Sequence, residues 1–274
     1  MIRPVKTYDE CRTFATSFQG DPSFSAPMLS SEEQVQCNLV RPIGNPDRYC
    51  VFGVYCEETL TGLFAFLVIR DEQYAEMLAG LSHEKSAYLE ALQYLKQHFP
   101  GYGIDFVFNP GNCLLREQLN TRKADFEPEQ QKMVLEAPAP DMDTTGIVPL
   151  SGQYAEQYCA IHNKDMYWTG EKVMQAQDRF HTFLAIRDGT VIGYIDVTCT
   201  FKENEPFDLL VLEEYRRMGY GRKLLAKALE ANAPNAMSVL VDAGNAPAIR
   251  LYASMGFAKK QTILTAHWTV PSAE

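Results

Sequence analysis

LLVLEEYRRMGYGRKLLAKAL, residues 209–229, decides how the second half of this chain folds. Its four leading apolar residues are typical of a buried strand, and its leucine-rich end is typical of a helix that packs on a sheet. Between them, Gly219 and Gly221 allow backbone conformations that other side chains would exclude. The stretch therefore predicts a strand, a glycine-containing turn and a helix with a basic first turn.

The start of this predicted helix is suited to an anion. The first N–H groups of a helix have no acceptor within the helix, and the aligned peptide dipoles place partial positive charge there. Arg216, Arg217, Arg222 and Lys223 surround the turn. These features predict a phosphate or pyrophosphate site. An ordinary turn with a solvated basic face would give the same short pattern.

A second segment, NAPAIRLYASMGF at residues 245–257, predicts a short helix. Asn245 suits the N-cap, Pro247 suits the first turn and Gly256 suits the end of the helix. Ile249, Tyr252 and Met255 share one face of that helix. From these residues alone, Tyr252 is either a core tyrosine or a functional one.

Charge and composition restrict the function. The 274 residues carry a net charge of −10, which repels phosphate backbones and argues against nucleic acid as a partner. No run of eighteen apolar residues and no secretion signal is present, so we expect a cytoplasmic protein without a membrane partner. The seven cysteines form no C-x-x-C pair, which predicts reduced thiols and no metal site.

The sequence divides near its middle. Residues 136–146, EAPAPDMDTTG, have little to bury, and we place a domain boundary there, between residues 1–138 and 139–274. FGVYCEETLTGLFAF at 52–66 and FLAIRDGTVIGYIDV at 183–197 both read as a hairpin.

Two sets of corresponding positions, one member in each half, are separated by the same number of residues. Gly62 and Gly193 lie 131 positions apart, as do Asp125-Phe126 and Gly256-Phe257. A shared offset predicts that the two halves are copies of one plan. Two unrelated α/β domains with similar hairpins remain the alternative.

The second half alternates helices and strands. The predicted helices are Ser151–Lys164, Gly170–Phe180, Gly221–Glu230 and Pro247–Met255, and the predicted strands are Thr182–Ile186, Val191–Thr198, Pro206–Leu212, Ser238–Asp242 and Ile263–Val270. This order predicts an α/β fold whose mixed sheet is flanked by helices.

Together, the strand, the R216-R217-M218-G219-Y220-G221 loop and the 245–257 segment resemble the GNAT superfamily of acetyl-CoA-dependent N-acyltransferases over about residues 150–270. The resemblance implies two tandem GNAT-like domains, each with a mixed, mostly antiparallel twisted sheet. In that family the loop holds the cofactor pyrophosphate, and two splayed strands form a slot for the acyl-cofactor. The implied cofactor-binding residues are Leu209, Val211, Arg216, Arg217, Met218, Gly219, Tyr220, Gly221, Arg222 and Asn245.

The resemblance also implies a general acid. Tyr252 matches the family tyrosine that protonates the departing sulfur. For the base, strand alternation places Glu205, Leu209 and Val211 on one face and Asp208 on the other, so Glu205 is the first candidate. Asp196 is the reserve candidate, and a solvent-exposed Glu205 in a polar turn is the alternative.

Other polar and aromatic residues have weaker support. His162 and His181 each stand alone and are interpreted as structural or surface residues. Tyr167, Trp168 and Glu171 lie where the family commonly shapes its acceptor pocket, although packing aromatics are the commoner explanation.

The first half has no equivalent of the glycine loop. MLAGLSHEKSAYLEAL, residues 77–92, contains Gly80 alone and places His83-Glu84-Lys85 where phosphate would bind. Residues 112–126 keep an asparagine and a terminal phenylalanine but carry Asp125 in place of the glycine. We therefore predict that this half does not bind acetyl-CoA and instead closes the acceptor site, stabilises the other half or forms a homodimer face.

The leading hypothesis is an N-acetyltransferase that moves acetyl from acetyl-CoA to a primary amine by direct attack in a ternary complex. A non-catalytic acetyl-CoA-binding regulatory module and a transferase of longer acyl groups are the alternatives. The acceptor, a small molecule or a peptide, is not identified by these residues.

Overall fold

The structure is a computed structural model that describes residues 1–24, 26–137, 140–164 and 166–272. Contacts between Cα positions divide the chain into two compact units. Unit 1 is Met1–Gln130 together with the segment that begins at Gln261, and unit 2 is Gln131–Lys260. The predicted boundary between residues 138 and 139 lies outside the described residues.

Unit 1 begins with a short strand and a set of short helices. Its strands are β1 (Ile2–Pro4), β2 (Tyr49–Cys56), β3 (Thr59–Ile69), β4 (Tyr74–Leu81), β5 (Gly103–Phe108) and β6 (Asp125–Phe126). Its helices are α1 (Arg12–Thr16), α2 (Glu32–Val35), α3 (Arg41–Ile43), α4 (Lys85–His98) and α5 (Cys113–Thr121), with a π-helical turn between α2 and α3. Pairing runs in the order β1-β2-β3-β4-β5, with β4 and β5 parallel and the other pairs antiparallel.

Unit 2 follows the predicted alternation of helices and strands. Its strands are β7 (Gln130–Leu135), β8 (Ile147–Pro149), β9 (Phe180–Arg187), β10 (Thr190–Thr198), β11 (Glu203–Asn204), β12 (Pro206–Val211), β13 (Ala236–Asp242) and β14 (Phe257–Thr269). Its helices are α6 (Ala155–Ile161), α7 (Gly170–Gln175), α8 (Tyr220–Asn232) and α9 (Ala246–Ser254). One sheet has the order β12-β10-β9-β8, and β7, β13 and β11 are neighbours in another.

The order of the predicted elements is confirmed, and the boundaries differ by three residues or more at three places. The predicted first helix is a 3-10 turn, Gly152–Tyr154, followed by α6. The predicted second helix ends at Gln175, and Phe180 already begins β9. The last strand begins at Phe257.

The boundary between the units lies within β14, after Lys260. The sequence prediction instead extended the second domain to residue 274. From Leu264 to Thr269, β14 pairs antiparallel with β5. Leu264, Ala266 and Trp268 are buried in the same apolar core as Phe106 of β5. Pairing and burial therefore attach the end of the chain to unit 1.

The two units share a plan that includes the same irregularities. The β2–β3 hairpin and the β9–β10 hairpin each contain one extra residue, Thr61 and Ile192, immediately before the glycine that opens the second strand. The next strand of each unit also carries an extra residue, Leu78 in β4 and Phe207 in β12. Leu78 lies opposite the Ala65–Phe66 step of β3, and Phe207 lies opposite the Asp196–Val197 step of β10, which is 131 residues later. Bulges at matching positions in both units agree with the 131-residue offset read from the sequence.

The core of unit 2 lies on both faces of its four-stranded sheet. Leu224, Leu225, Ala228 and Leu229 of α8 are buried against one face, as the sequence predicted. Tyr158 of α6 packs with Leu184 and Tyr194 on the other face. Burying the leucine face of α8 fixes the direction of this helix and so positions its N-terminus at the end of β12.

No helix formed by the described residues combines the length and apolar character needed to cross a bilayer. Over the same residues, no group of three or more His, Cys, Asp or Glu side chains is arranged to hold a metal ion.

Candidate active site

Two parallel strands of unit 2 separate at the point where the site is expected. Glu203 and Asn204 of β11 pair with Ala236 and Met237 at the start of β13. From Pro206 onward the chain pairs with β10, and β12 and β13 lie in different hydrogen-bonded sheets. Proline has no N–H to continue the ladder to β13. A slot therefore opens between β12 and β13 toward their C-terminal ends.

The backbone of Leu209 and Val211 faces this slot. The N–H of Leu212 donates to the carbonyl oxygen of Ile192 on β10 at 2.9 Å. Because successive backbone groups of a strand point to opposite edges, the N–H groups of Leu209 and Val211 point away from β10. The Nε of Arg216 reaches the same edge and donates to the carbonyl oxygen of Val211 at 2.9 Å.

The glycine loop joins β12 to α8 through residues 212–219. Arg217 has φ 62° and Gly219 has φ 89°, both in the left-handed region that favours glycine. Gly219 is the N-cap of α8 and supplies no side chain to its first amides. A Cβ at Gly219 would meet no atom within 4 Å, so backbone conformation rather than space selects glycine there.

The basic side chains around the loop have different partners. Arg216 holds the end of β12, as described above, and Lys223 forms an ion pair with Asp143 at 3.1 Å. Met218 is 58% exposed, and a guanidinium nitrogen of Arg187 lies 3.9 Å from its sulfur. The loop amides with Arg217 and Arg222 are therefore the groups best placed for an anion.

Asn245 and Tyr252 belong to α9, which follows β13. The side-chain oxygen of Asn245 accepts from the N–H of Ala248 at 3.1 Å, which makes it the N-cap of α9 as the sequence predicted. Tyr252 is 7% exposed, and its ring packs against Phe257 at 5.5 Å between centroids. Burial first, and the nearby charge of Asp208 second, raise the pKa of Tyr252 to about 12.

Glu205 lies where β11 meets β12, at the start of the slot. Its N–H donates to the hydroxyl of Thr198 and its carbonyl oxygen accepts from the N–H of Thr198. Its side chain is half-buried. Burial raises the pKa of the Glu205 carboxyl, with Glu203 acting in the same direction and Lys132 opposing it.

The reasoning that separated Glu205 from Asp208 is wrong. Phe207 is an extra residue in β12, so Asp208 lies opposite Asp196 and Pro206 lies opposite Val197. Residues directly opposite in an antiparallel pair share a face, and Glu205 lies opposite Thr198. The bulge therefore brings Glu205 and Asp208 to one face and leaves Leu209 and Val211 on the face of α8.

Sequence reasoning missed a buried hydrogen-bond network on that shared face. Asp196 is fully buried and accepts from the hydroxyls of Tyr158 at 2.9 Å and Thr182 at 2.5 Å. His162 Nε2 lies 3.0 Å from Asp196 Oδ2, and His162 Nδ1 lies 2.9 Å from the carbonyl oxygen of Asn163. Burial lowers the pKa of His162, but the hydrogen bonds to Asp196 and Asn163 outweigh it and the pKa is raised.

The network continues to the edge of the slot. The ring of Tyr194 stacks on His162 at 4.8 Å, and its hydroxyl donates to Asp208 Oδ2 at 2.6 Å. The structure thus buries His162, in agreement with a structural role, and assigns the partners of Asp196. The available sequence signal was a strand, residues 190–198, with polar Tyr194 and Asp196 alternating among apolar residues.

The aromatic residues near α7 form a row that ends at the bulge. Tyr167, which is 75% exposed, lies 5.5 Å from Trp168 between ring centroids. Trp168 contacts Phe180 at 5.1 Å, and Phe180 contacts Phe207 at 5.8 Å. His181 and Glu171 are exposed.

The corresponding slot of unit 1 is filled by side chains. β4 pairs with β5 from Tyr74 to Met77 and then diverges. The hydroxyl of Tyr88 donates to the carbonyl oxygen of Gly80 at 3.1 Å, and Asn112 Nδ2 donates to the Tyr88 hydroxyl at 2.8 Å. The cavity that remains at this position measures about 10 Å³.

The connection after β4 is also short. Residues 82–84 alone lead from β4 into α4, whereas residues 212–219 separate β12 from α8. The hydroxyl of Ser82 donates to the carbonyl oxygen of Thr61 at 2.6 Å, and the ring of His83 stacks on Phe18 at 4.4 Å. Unit 1 therefore lacks the room for a phosphate-binding loop that unit 2 has.

The residues of unit 2 fit an acyl-coenzyme A. The amides at the start of α8 suit a pyrophosphate, the edge amides of β12 suit the polar groups of a pantetheine arm, and the slot leads to Tyr252 and Glu205.

Comparisons with known sequences agree with this geometry. A family model described as an acetyltransferase (GNAT) domain matches residues 178–259. An N-alpha-acetyltransferase from Sulfurisphaera tokodaii is 32% identical over 111 residues, which covers 35% of this chain and 65% of that protein. The match thus spans less than two thirds of the relative's length.

Solved structures share the fold. A tandem GNAT protein from the clavulanic acid biosynthesis pathway, solved without acetyl-CoA, is 13% identical and covers 100% of this chain and 99% of its own, with a TM-score of 0.52. A GCN5-related N-acetyltransferase from Sphaerobacter thermophilus is 14% identical and covers 82% of each chain, also with a TM-score of 0.52. Residues 178–259 are therefore similar to the GNAT family of acetyltransferase domains, and the chain shares the fold of a tandem GNAT protein.

Proposed function

We propose that this protein is an N-acetyltransferase that moves acetyl from acetyl-CoA to a primary amine bound in the same complex. The observation that carries this function is the combination of the splayed strands β12 and β13 with the open helix start at Gly219. The splayed strands would position the thioester, and the helix start at Gly219 would bind the diphosphate of coenzyme A. The GNAT family match over residues 178–259 supports the same reaction.

Acetyl-CoA supplies the acetyl group as a thioester, and the chain supplies the groups that move protons. The N–H of Val211 faces the slot and is placed to donate to the acyl oxygen. Glu205 accepts a proton from the amine, and a raised pKa suits a carboxylate to that role. Tyr252, kept protonated by its buried position, donates a proton to the sulfur.

The proton and bond changes balance with these residues. The bond from nitrogen to the acetyl carbon forms as the bond from that carbon to sulfur breaks. An ammonium acceptor loses two protons in total. One passes to Glu205 and then to solvent, and the other restores the Tyr252 hydroxyl after it has protonated the sulfur.

We propose that unit 2 alone binds acetyl-CoA. Tyr88 and Asn112 occupy the equivalent slot of unit 1, and Glu84 stands at the N-terminus of α4, where it disfavours an anion. Unit 1 then contributes stability to the chain rather than a second reaction.

Release of free thiol from acetyl-CoA tests this function. The wild-type protein is incubated with acetyl-CoA and a panel of primary amines, including peptides with a free N-terminus, and thiol is measured with a chromogenic disulfide. We expect amine-dependent release that is lost in Tyr252→Phe. Binding of acetyl-CoA without amine-dependent release by the wild type would instead identify a binding module.

A further inference from the structure

We propose that Asp208 is the acceptor-binding residue of this site, and that its carboxylate holds the ammonium form of an aliphatic amine beside Glu205. The inference rests on the proposed transferase function and defines its substrate class. The acceptor is an amine that is protonated at neutral pH, such as an alkylamine or an N-terminal α-amine, rather than an aromatic amine or an alcohol.

The position of Asp208 supports this role. Asp208 belongs to β12, the edge strand that borders the slot, and the bulge at Phe207 turns it to the face of Glu205. Its charge acts on Tyr252 of α9, and its carboxylate interacts with the N–H of Leu209, which faces the slot. Asp208 therefore lies at the slot, on the same strand face as the proposed base, and its charge reaches the proposed acid.

The two carboxylates of the network differ in how their charge is compensated. Asp196 is fully buried and has His162 together with the hydroxyls of Tyr158 and Thr182. Asp208 is only half-buried, and the hydroxyl of Tyr194, a neutral group, is the side-chain donor that fixes it. His162 contacts Asp196 directly and acts on Asp208 only through its charge, and none of the described cationic side chains forms an ion pair with Asp208.

Tyr194 gives Asp208 a fixed geometry. Its ring is held against His162, and its hydroxyl both accepts from the N–H of Asn163 at 3.1 Å and donates to Asp208 at 2.6 Å. A carboxylate already held in place loses little conformational freedom when it binds an ammonium group. We therefore assign Tyr194 as a positioning residue that acts through Asp208.

A pair of coenzyme A thioethers tests the assignment without a known acceptor. S-(2-aminoethyl)-coenzyme A carries an ammonium group near the sulfur, and S-propyl-coenzyme A has a methyl group in its place. Their dissociation constants are measured by calorimetry with the wild type, Asp208→Asn, Tyr194→Phe and Glu230→Gln. Glu230, an exposed residue near the end of α8, is the matched control for the loss of one negative charge.

We expect the wild type and Glu230→Gln to bind the ammonium thioether about tenfold more tightly than the propyl thioether, as for a hydrogen bond to a charged group. In Asp208→Asn the two should bind equally, with the affinity for the propyl thioether unchanged, and Tyr194→Phe should give an intermediate preference. Unchanged affinity for the propyl thioether shows that the variant is folded.

Two results would overturn the assignment: equal binding of the two thioethers by the wild type, or a preference that persists in Asp208→Asn. Failure of the wild type to bind either thioether is a different outcome. It would remove the proposed function, and the role of Asp208 with it.

Discussion

Tyr252 and Glu205 approach the slot from different elements, one from α9 and the other from the junction of β11 and β12. Tyr252 is buried and its pKa is raised to about 12, so the phenol is protonated at every pH at which the protein would be assayed. Glu205 is half-buried with a raised pKa, which suits a group that accepts a proton. In the proposed reaction, Tyr252 therefore donates one proton and Glu205 accepts another.

Replacing Tyr252 with Phe tests the donor. Removing a general acid should lower kcat by about 100-fold, because the thiolate then leaves without a proton. Phe keeps the ring that packs on Phe257, so the affinity for acetyl-CoA should change little. Steady-state kinetics with calorimetry for acetyl-CoA separate the two effects, and an unchanged kcat would exclude the role of Tyr252.

Glu205→Gln tests the acceptor through the pH profile. In its proposed role Glu205 works only when deprotonated, so kcat of the wild type at saturating acceptor should fall as the pH drops through its pKa. That pKa is raised by burial above the ordinary value of about 4.3. The variant should be slower by about 100-fold and should lack this acidic limb. An acidic limb that survives in Glu205→Gln would assign the base to another group.

Among the elements of unit 2, the loop between β12 and α8 is the one that we propose binds the cofactor. Its conformation depends on two residues with positive φ, Arg217 and Gly219. The loop ends in a helix whose buried leucine face holds its N-terminus in place. A change in the backbone of the loop should therefore act on binding and leave the fold intact.

Gly219→Ala should weaken acetyl-CoA binding by about tenfold, because an alanine at φ 89° is strained by about 1–2 kcal/mol and the loop relaxes away from it. Gly101→Ala is the matched control, since Gly101 has φ 80° and ordinary contacts but lies in unit 1. Calorimetric titration of both variants, with thermal unfolding to compare their stability, checks the prediction. Equal loss of binding in the two variants would contradict it.

The sequence could predict this loop because glycine spacing and a leucine face are local signals. It could not predict the bulge at Phe207, because strand alternation gives no sign of where one residue is inserted into a ladder. The error placed Glu205 on the face of Leu209 and Val211 instead of the face of Asp208. The network of Tyr158, His162 and Asp196 was also beyond reach, since its members lie up to 38 positions apart and meet only in the folded sheet.

Over the whole molecule, the two units share one arrangement of strands and helices but differ at the slot. Unit 2 keeps a slot between β12 and β13, and unit 1 fills its slot with Tyr88 and Asn112. The duplication was predictable from the shared offset of 131 residues, but the filling was not. Neither Tyr88 nor Asn112 shows from sequence alone that its side chain lies at the position that corresponds to the slot of unit 2.

The chain should therefore bind one molecule of acetyl-CoA. Calorimetric titration should give a stoichiometry of about one per chain, because among the helices that the structure describes only α8 begins after a long glycine loop beside an open slot. Tyr88→Phe, which removes the hydrogen bond to Gly80 without opening space, should leave this value unchanged. A stoichiometry of two would show that unit 1 also binds the cofactor.

A crystal structure with coenzyme A would show whether the backbone amides between Arg217 and Arg222 bind the diphosphate of the cofactor, as proposed. We expect phosphate oxygens within hydrogen-bond distance of those amides and a pantetheine arm beside Leu209 and Val211. A coenzyme A molecule bound elsewhere, with the α8 N-terminus left to solvent, would contradict it.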